Sequence, residues 1–551
     1  MMNNLKYSLS LIACIFTLQL FAQTSTKQSA SAPSQPKLVV GIVVDQMRYD
    51  YIYRFWNKFG NDGFKRLVNE GFFCRNTNFN YVPTYTAPGH ASIYTGTTPA
   101  VHGIIANDWY NRTTGYNVYC AEDQNSNGVG TVAKEGKRSP VNMLTTTITD
   151  ELRISSNMKS KVIGIALKDR SSILPAGHTP NAAYWFDGSN GSFISSTYYM
   201  NELPNWVTEF NKKELPLKYL SQPWNTLLPI EQYTESLPDD NKYEFIAHGE
   251  TRPVFPHNLP EIMKNNGLGL IRNTPFGNSL TKDFAIEVIK NENLGKSAAT
   301  DFLAISFSSP DYIGHTYGPN SVEQEDDYLR LDKDLAELLA FIDSQLGKNN
   351  TLVFLTADHA APEVPAYLMD LKIPAGYVKE KKIADLVKTY LFKTYGDSLV
   401  LSFYNQQIYL NQQAIESKGL ALQQVQEKAA AYLQAMPEAA EVLTAYTLNN
   451  TSFTEGSQYM MQKGFNTKRS GDVLINYLPG WIDYEMQVGT AHGSPYSYDT
   501  HVPLIFYGWN IKQGSSSEQI YITDIAPTLA MMLNIQFPSG CTGKPISILV
   551  K

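Results

Sequence analysis

At 551 residues with 43% hydrophobic side chains, the chain can bury one large core with insertions, or a few ordinary domains, and it is not a disordered polypeptide. Its formal charge of −7 comes with Lys and Arg dispersed along the whole length, so no nucleic acid is expected as a dedicated partner. The four cysteines include no Cys-x-x-Cys pair, which excludes a zinc ribbon and a thioredoxin-like redox site.

The first feature in chain order is the apolar run from Leu9 to Ala22, which follows a short segment with one cation, Lys6, and gives way to a polar Ser/Thr/Gln/Pro stretch reaching Lys37. This pattern predicts a signal peptide over residues 1–22 and a flexible segment over 23–37. The run is short for a bilayer and interrupted by Ser, Thr and Gln, so no stable membrane anchor is expected, and a periplasmic or secreted bacterial protein is. Leu11-Ile-Ala-Cys14 is like a lipoprotein box, but the apolar run continues past Cys14, which makes lipidation the weaker reading. Removing the signal leaves Cys74, Cys120 and Cys541. In an oxidising compartment one disulfide is expected among them, with Cys74–Cys120 the preferred pair, although spacing does not decide it.

Residues 38–44, 162–167, 302–307, 352–355 and 502–507 are continuous runs of aliphatic and β-branched residues, the pattern of parallel strands covered on both faces. Between them lie amphipathic helices, the clearest from Ser321 to Leu346, which opens on the capping-box spacing Ser321-x-x-Gln324, carries Glu and Asp in its first turns and is closed by Gly347. Alternating strands and helices predict a doubly wound, mostly parallel α/β sheet with helices on both faces, whose ligands bind at the carboxyl ends of the strands. Residues 185–276 and 372–489 break the alternation and are expected to be insertions at that edge of a single domain, 38–551; the second contains a helix near residues 420–435.

Six donors punctuate this framework. Asp45 follows the run 38–44; Asp311 and His315 are one helical turn apart in Ser-Ser-Pro-Asp311-Tyr-Ile-Gly-His315; Asp358 and His359 follow the run 352–355; His492 sits in the glycine-flanked Gly489-Thr-Ala-His492-Gly. Taken singly, each is more often a helix cap or a turn residue. Together they supply three carboxylates and three imidazoles, a donor set that suits two zinc ions better than magnesium. Thr86, in Pro-Thr-Tyr-Thr86-Ala-Pro-Gly-His90, opens a helix-like stretch, where a hydroxyl activated by a metal serves as nucleophile and the helix N-terminus favours an anion. Lys168 and Arg170 finish the run 162–167; strand alternation places both cations on one face, and a phosphoryl dianion suits that pairing. Asn107 offers a neutral amide donor. His178, His248, His257 and His501 have no comparable company.

In this order, Asp45, Thr86-Ala-Pro-Gly-His90, Asn107 after His102-Gly-Ile, Asp311-x3-His315, Thr-Ala-Asp358-His359 and His492-Gly resemble the alkaline phosphatase superfamily, in its type I phosphodiesterase/nucleotide pyrophosphatase branch. Lys168-Asp-Arg170 is similar to the phosphate-irrepressible alkaline phosphatases within it. The resemblance implies one zinc held by Asp311, His315 and His492, and a second by Asp45, Asp358, His359 and the Thr86 oxygen. It implies attack by Thr86 to form a phosphothreonine, with Asn107, Lys168 and Arg170 gripping the nonbridging oxygens. It further implies two Zn2+ ions, no third Mg2+ site, small-molecule phosphate monoesters of broad specificity as substrates, and a monomer. A nucleotide phosphodiesterase on the same scaffold is the alternative, and an inactive secreted binding protein the alternative of another class. Sulfatases of the superfamily place Cys or Ser before x-Pro-x-Arg, which Thr86-Ala-Pro-Gly-His90 lacks.

Overall fold

Seven consecutive apolar residues have no solvent-facing side, and in the computed structural model, which describes residues 35–550, Leu38–Val44 forms a wholly buried central strand, β1. It belongs to a ten-stranded sheet with β2 (Phe72–Asn78), β3 (Gly128–Val129), β4 (Val162–Ala166), β5 (Ala182–Asp187), β6 (Ser192–Ser196), β7 (Asp301–Phe307) and β8 (Thr351–Thr356). The remaining two strands come after the second insertion, whose own strands are β9 (Val400–Tyr404), β10 (Gln407–Leu410), β11 (Ala439–Thr444) and β12 (Val473–Tyr477). They are β13 (His501–Gly508) and β14 (Gly514–Tyr521), and the sheet order is β14-β2-β13-β8-β1-β7-β4-β5-β6-β3. At its centre β1 runs parallel to both neighbours, with Val40 opposite Val353 of β8 and Leu303 of β7.

The sheet is more mixed than the sequence implies. The run 502–507, expected to be parallel, lies antiparallel to β8 and to β2. Both of its faces are covered, so its composition matches that of a parallel strand; burial selects residue type and leaves direction open. β2 was not anticipated, because only its start is apolar and it continues into Arg75-Asn-Thr-Asn78. The stretch from residue 185, expected to be an insertion, begins with sheet strands β5 and β6.

Three helices place functional side chains, α1 (Thr86–Thr95), α2 (Asp169–Ala176) and α3 (Ser309–Tyr317), and the long helix α4 (Val322–Leu346) follows α3. Ser321 caps α4 by accepting from Gln324 N at 3.1 Å, but the capping box is only half made, since Gln324 Nε2 donates to Pro310 O at 3.2 Å. The acidic first turns of α4 are buried, not solvated: Asp326 accepts from Trp224 Nε1 at 2.7 Å, and Glu323 meets His257 at 2.9 Å. Within residues 372–489 lies a four-stranded antiparallel sheet ordered β9-β10-β12-β11 with helices Glu380–Tyr395 and Leu422–Gln434, around Val387, Leu391, Ile408, Val425, Leu433 and Val473.

Cys74, Cys120 and Cys541 are all unpaired, which corrects the expected Cys74–Cys120 disulfide. Cys74 packs in the core of the main sheet, whereas Cys120 belongs to a separate apolar cluster with Trp109 and Met143. The expected signal peptide, Cys14 and most of the segment 23–37 lie outside the described residues. Among those described, no helix is long and apolar enough to cross a membrane.

The C-terminus of α2 is tied to the helix Ile148–Ser155, whose Thr149 donates to Pro175 O and Ala176 O. Asp150 organises this corner: it accepts from Thr147 N (3.0 Å), His178 N (2.7 Å) and Thr179 N (2.8 Å). Burial raises its pKa, but the His178 contact and these N–H donors outweigh burial and hold it below the usual carboxylate value. Asp150→Ala strands three donors, one of them buried and two partly buried, and is expected to cost about 3 kcal/mol of stability in urea unfolding at neutral pH. The difference from wild type should narrow in acid, as protonation removes the acceptor that a depressed pKa otherwise preserves.

Candidate metal centre

Parallel strands end together, and their carboxyl ends deliver the donors to one place. Asp45 leaves β1 and Asp358 leaves β8, while β7 feeds directly into α3, whose Asp311 and His315 lie one turn apart. His492 arrives on the loop before β13. The six side chains fall into two compact triads, Asp311–His315–His492 and Asp45–Asp358–His359, in each of which one ligand atom per residue lies within 4.8 Å of the others. His315 Nε2 is 3.1 Å and His492 Nε2 3.6 Å from Asp311 Oδ1; His359 Nε2 is 3.5 Å from both Asp45 Oδ1 and Asp358 Oδ2. His359 and His492 stack at 3.5 Å between ring centroids, so the triads share a wall.

Each imidazole has one nitrogen turned away and occupied. Nδ1 lies 2.7 Å from Thr490 O in His315, 2.7 Å from Thr84 O in His492 and 3.1 Å from Ala360 O in His359. A ring that donates Nδ1–H to a carbonyl presents the bare Nε2 lone pair inward, as a metal-ligating histidine does. Burial depresses the basicity of His492 to about 3 and, together with neighbouring His492, holds His359 well below its ordinary value, so both rings are neutral and able to ligate. Burial also drives Asp45 well above the carboxylate range, with Asp358 adding to the rise. Neither oxygen of Asp45 and not Oδ2 of Asp358 has a hydrogen-bond partner, although all are buried. Orphaned carboxylate oxygens beside bare imidazole nitrogens fit divalent cations.

Thr86 is the first residue of α1, buried, with Oγ1 3.5 Å from His359 Nε2. Asn107 Oδ1 accepts from Ala87 N at 3.0 Å, which fixes the amide and leaves its NH2 end as a donor. Lys168 and Arg170 differ from expectation in their local structure: β4 ends at Ala166, Lys168 is the N-cap of α2 and Arg170 lies in its first turn. Strand alternation therefore does not set their directions. Lys168 is 3% exposed, not a solvated strand end, and its Nζ stands 2.6 Å from Asp311 Oδ2 and 2.6 Å from Asp45 Oδ2, one carboxylate of each triad. The second approach is a charge contact without hydrogen-bond alignment. Burial lowers the basicity of Lys168, but Asp311 and Asp45 outweigh it and keep the ammonium charged.

Several supporting residues carried no signal of their own. Tyr119 accepts from Arg170 Nη1 at 3.1 Å and donates to Asp169, which Arg138 Nε contacts at 2.7 Å. His90, one turn after Thr86, meets Thr86 O at 2.9 Å and Ser306 Oγ at 3.0 Å. Gln46 donates to a carboxylate of each triad. A cavity of about 280 Å³ opens onto the site, lined by Tyr85, Asn107, His315 and His492 and, from the second insertion, Tyr477 and Trp481.

The family model described as type I phosphodiesterase / nucleotide pyrophosphatase matches residues 39–495. A protein of Myroides odoratus named calcium-transporting ATPase is 45% identical over 99% of this chain and 99% of its own. Alkaline phosphatase PafA of Elizabethkingia meningoseptica is 44% identical over 95% of this chain and 96% of its own. The crystal structure of wild-type alkaline phosphatase PafA matches with a TM-score of 0.91 and 43% identity, covering 94% of this chain and 100% of that one.

Gly489 has φ +67°, and a Cβ there would meet His315 O at 2.0 Å. Gly489→Ala should disturb the neighbouring Thr490 carbonyl that orients His315. Its affinity for divalent cations in calorimetric titration should fall about 10-fold or more.

Proposed function

The chain belongs to the type I phosphodiesterase / nucleotide pyrophosphatase family and is an alkaline phosphatase; from that premise we propose that it hydrolyses phosphate monoesters of broad specificity through a phosphothreonine at Thr86, with two zinc ions. The observation that carries the substrate class is Lys168, which brings a buried ammonium to the junction of the two triads, with Arg170 close behind on the same helix. With two divalent cations in place, this pocket holds more positive than negative charge. A monoester dianion satisfies that surplus better than a diester, which carries one charge and an extra group to accommodate.

Asp311, His315 and His492 would hold one cation, and Asp45, Asp358 and His359 the other; bound there, they would supply Lewis acidity toward the nucleophilic and leaving oxygens. Thr86 Oγ1 forms the new bond to phosphorus as the ester oxygen departs, and water then cleaves the Thr86 phosphoester to release phosphate and restore the hydroxyl. Placement at the N-terminus of α1 supports the accumulating negative charge. The Asn107 amide, held through its oxygen by Ala87 N, donates to a nonbridging oxygen, and Lys168 and Arg170 pair with the others. Tyr119 keeps the Arg170 guanidinium from swinging away. Residues 1–22 are read as an export signal, placing the enzyme in the periplasm or outside the cell.

Thr86→Ala should lower turnover of an aryl phosphate by at least 10³-fold with bound metal unchanged in elemental analysis. Retained activity would remove Thr86 from the mechanism. Wild type should prefer the aryl monoester to its methyl diester, and the double variant Lys168→Ala/Arg170→Ala should lose far more kcat/KM on the monoester than on the diester. A diester preference in wild type would favour the phosphodiesterase alternative, and equal losses would show that these cations grip no substrate oxygen.

A further inference from the structure

We propose that Gln46 is a positioning residue that braces the two cation triads against each other, and that Gly314 is a glycine to make room for it. The inference rests on the metal reading of the triads given above. Gln46 is buried and follows Asp45 directly, at the point where β1 ends. Its backbone N–H donates to Asp358 Oδ1 at 3.1 Å and its side-chain Nε2 donates to Asp311 Oδ1 at 2.8 Å. One residue thus holds a carboxylate of each triad while being covalently joined to Asp45.

The backbone conformation is what allows this. Gln46 has φ +63°, in the left-handed region that costs an L-residue about 1 kcal/mol or more. A left-handed residue after a strand turns its own N–H and its side chain toward neighbouring strand ends, and such local strain persists where surrounding contacts over-determine it. The amide has the chemistry the position requires: it donates to a carboxylate without adding a fourth carboxylate to Asp45, Asp311 and Asp358, as Glu would, or a competing cation, as Lys would.

Gly314 supplies the independent observation. It lies on α3 between Asp311 and His315, with an ordinary helical backbone, so nothing conformational calls for glycine there. A Cβ at Gly314 would stand 2.0 Å from Gln46 Oε1 and 3.1 Å from its Cδ, and the three atoms nearest to it all belong to Gln46. Since glycine weakens a helix interior by about 1 kcal/mol relative to alanine, its presence is explained by the side chain it admits.

The two residues should therefore be energetically coupled. The test uses the full metal-loaded protein as wild type, Gln46→Ala, Gly314→Ala and the double variant, reading bound metal by elemental analysis and the rate of metal loss to excess chelator. Gln46→Met, which keeps length and loses the donor, stands in if Gln46→Ala does not fold. Wild type should hold two ions per chain. Each single variant should release metal at least 10-fold faster from both sites, and the double variant should be no worse than Gln46→Ala, because the three atoms nearest to the added Cβ are then gone. Unchanged release in the Gln46 variants, loss from one site alone, or additive effects in the double variant would overturn the brace while leaving the metal centre standing. A wild-type chain without two ions would overturn the metal reading itself and the brace with it.

Discussion

Three carboxylates, those of Asp45, Asp311 and Asp358, are buried together at the end of the sheet, and their mutual repulsion is the constraint around which the rest is arranged. Each buried charge carries a desolvation penalty of several kcal/mol, and like charges add to it. Within the protein, Lys168 meets only part of that demand, by contacting Asp45 and Asp311. Both oxygens of Asp45 and one of Asp358 are left without hydrogen bonds, whereas buried acids such as Asp150 and Asp326 are met by N–H donors. A site so poorly compensated by its own side chains is suited to cations from outside.

The sheet makes such crowding attainable. β1, β7 and β8 are locked in parallel register through buried aliphatic residues, so their ends arrive within a few ångströms of one another without any loop having to be ordered for the purpose. The less regular parts serve other ends. His492 comes from a loop whose neighbouring Thr490 carbonyl orients His315, so one segment supplies a donor to the triad and the partner that aims another. Residues 372–489, with a cluster of their own, contribute Tyr477 and Trp481 to the cavity that His315 and His492 also line.

In the proposed mechanism, discrimination among phosphoesters would rest on a separate layer of contacts. Lys168 and Arg170 project from the start of α2, and α2 is anchored at its far end through Thr149 and the Asp150 corner. At the near end, Tyr119 links Arg170 to Asp169, and Arg138 contacts Asp169 in turn. The cations are thus held by the protein before any substrate arrives, so their electrostatic contribution requires little reorganisation.

Much of this was legible in the residues alone. Unbroken aliphatic runs marked β1, β4, β7, β8 and β13 to within a residue or two, since only strands covered on both faces tolerate such composition. The six donors and Thr86 were recognisable from their places beside those runs and from their order. What composition left open was direction and company: β13 is antiparallel to both β8 and β2, which its residue types do not reveal, and Cys74 and Cys120 stay apart because they fall in different clusters. The burial of Lys168 between two triads, the left-handed turn at Gln46 and the space kept for it by Gly314 depend on contacts between residues far apart in the chain, by 143 positions for Lys168–Asp311 and 312 for Gln46–Asp358. Local sequence determines which groups are present and how each strand ends; only the packed sheet decides which of them share a charge.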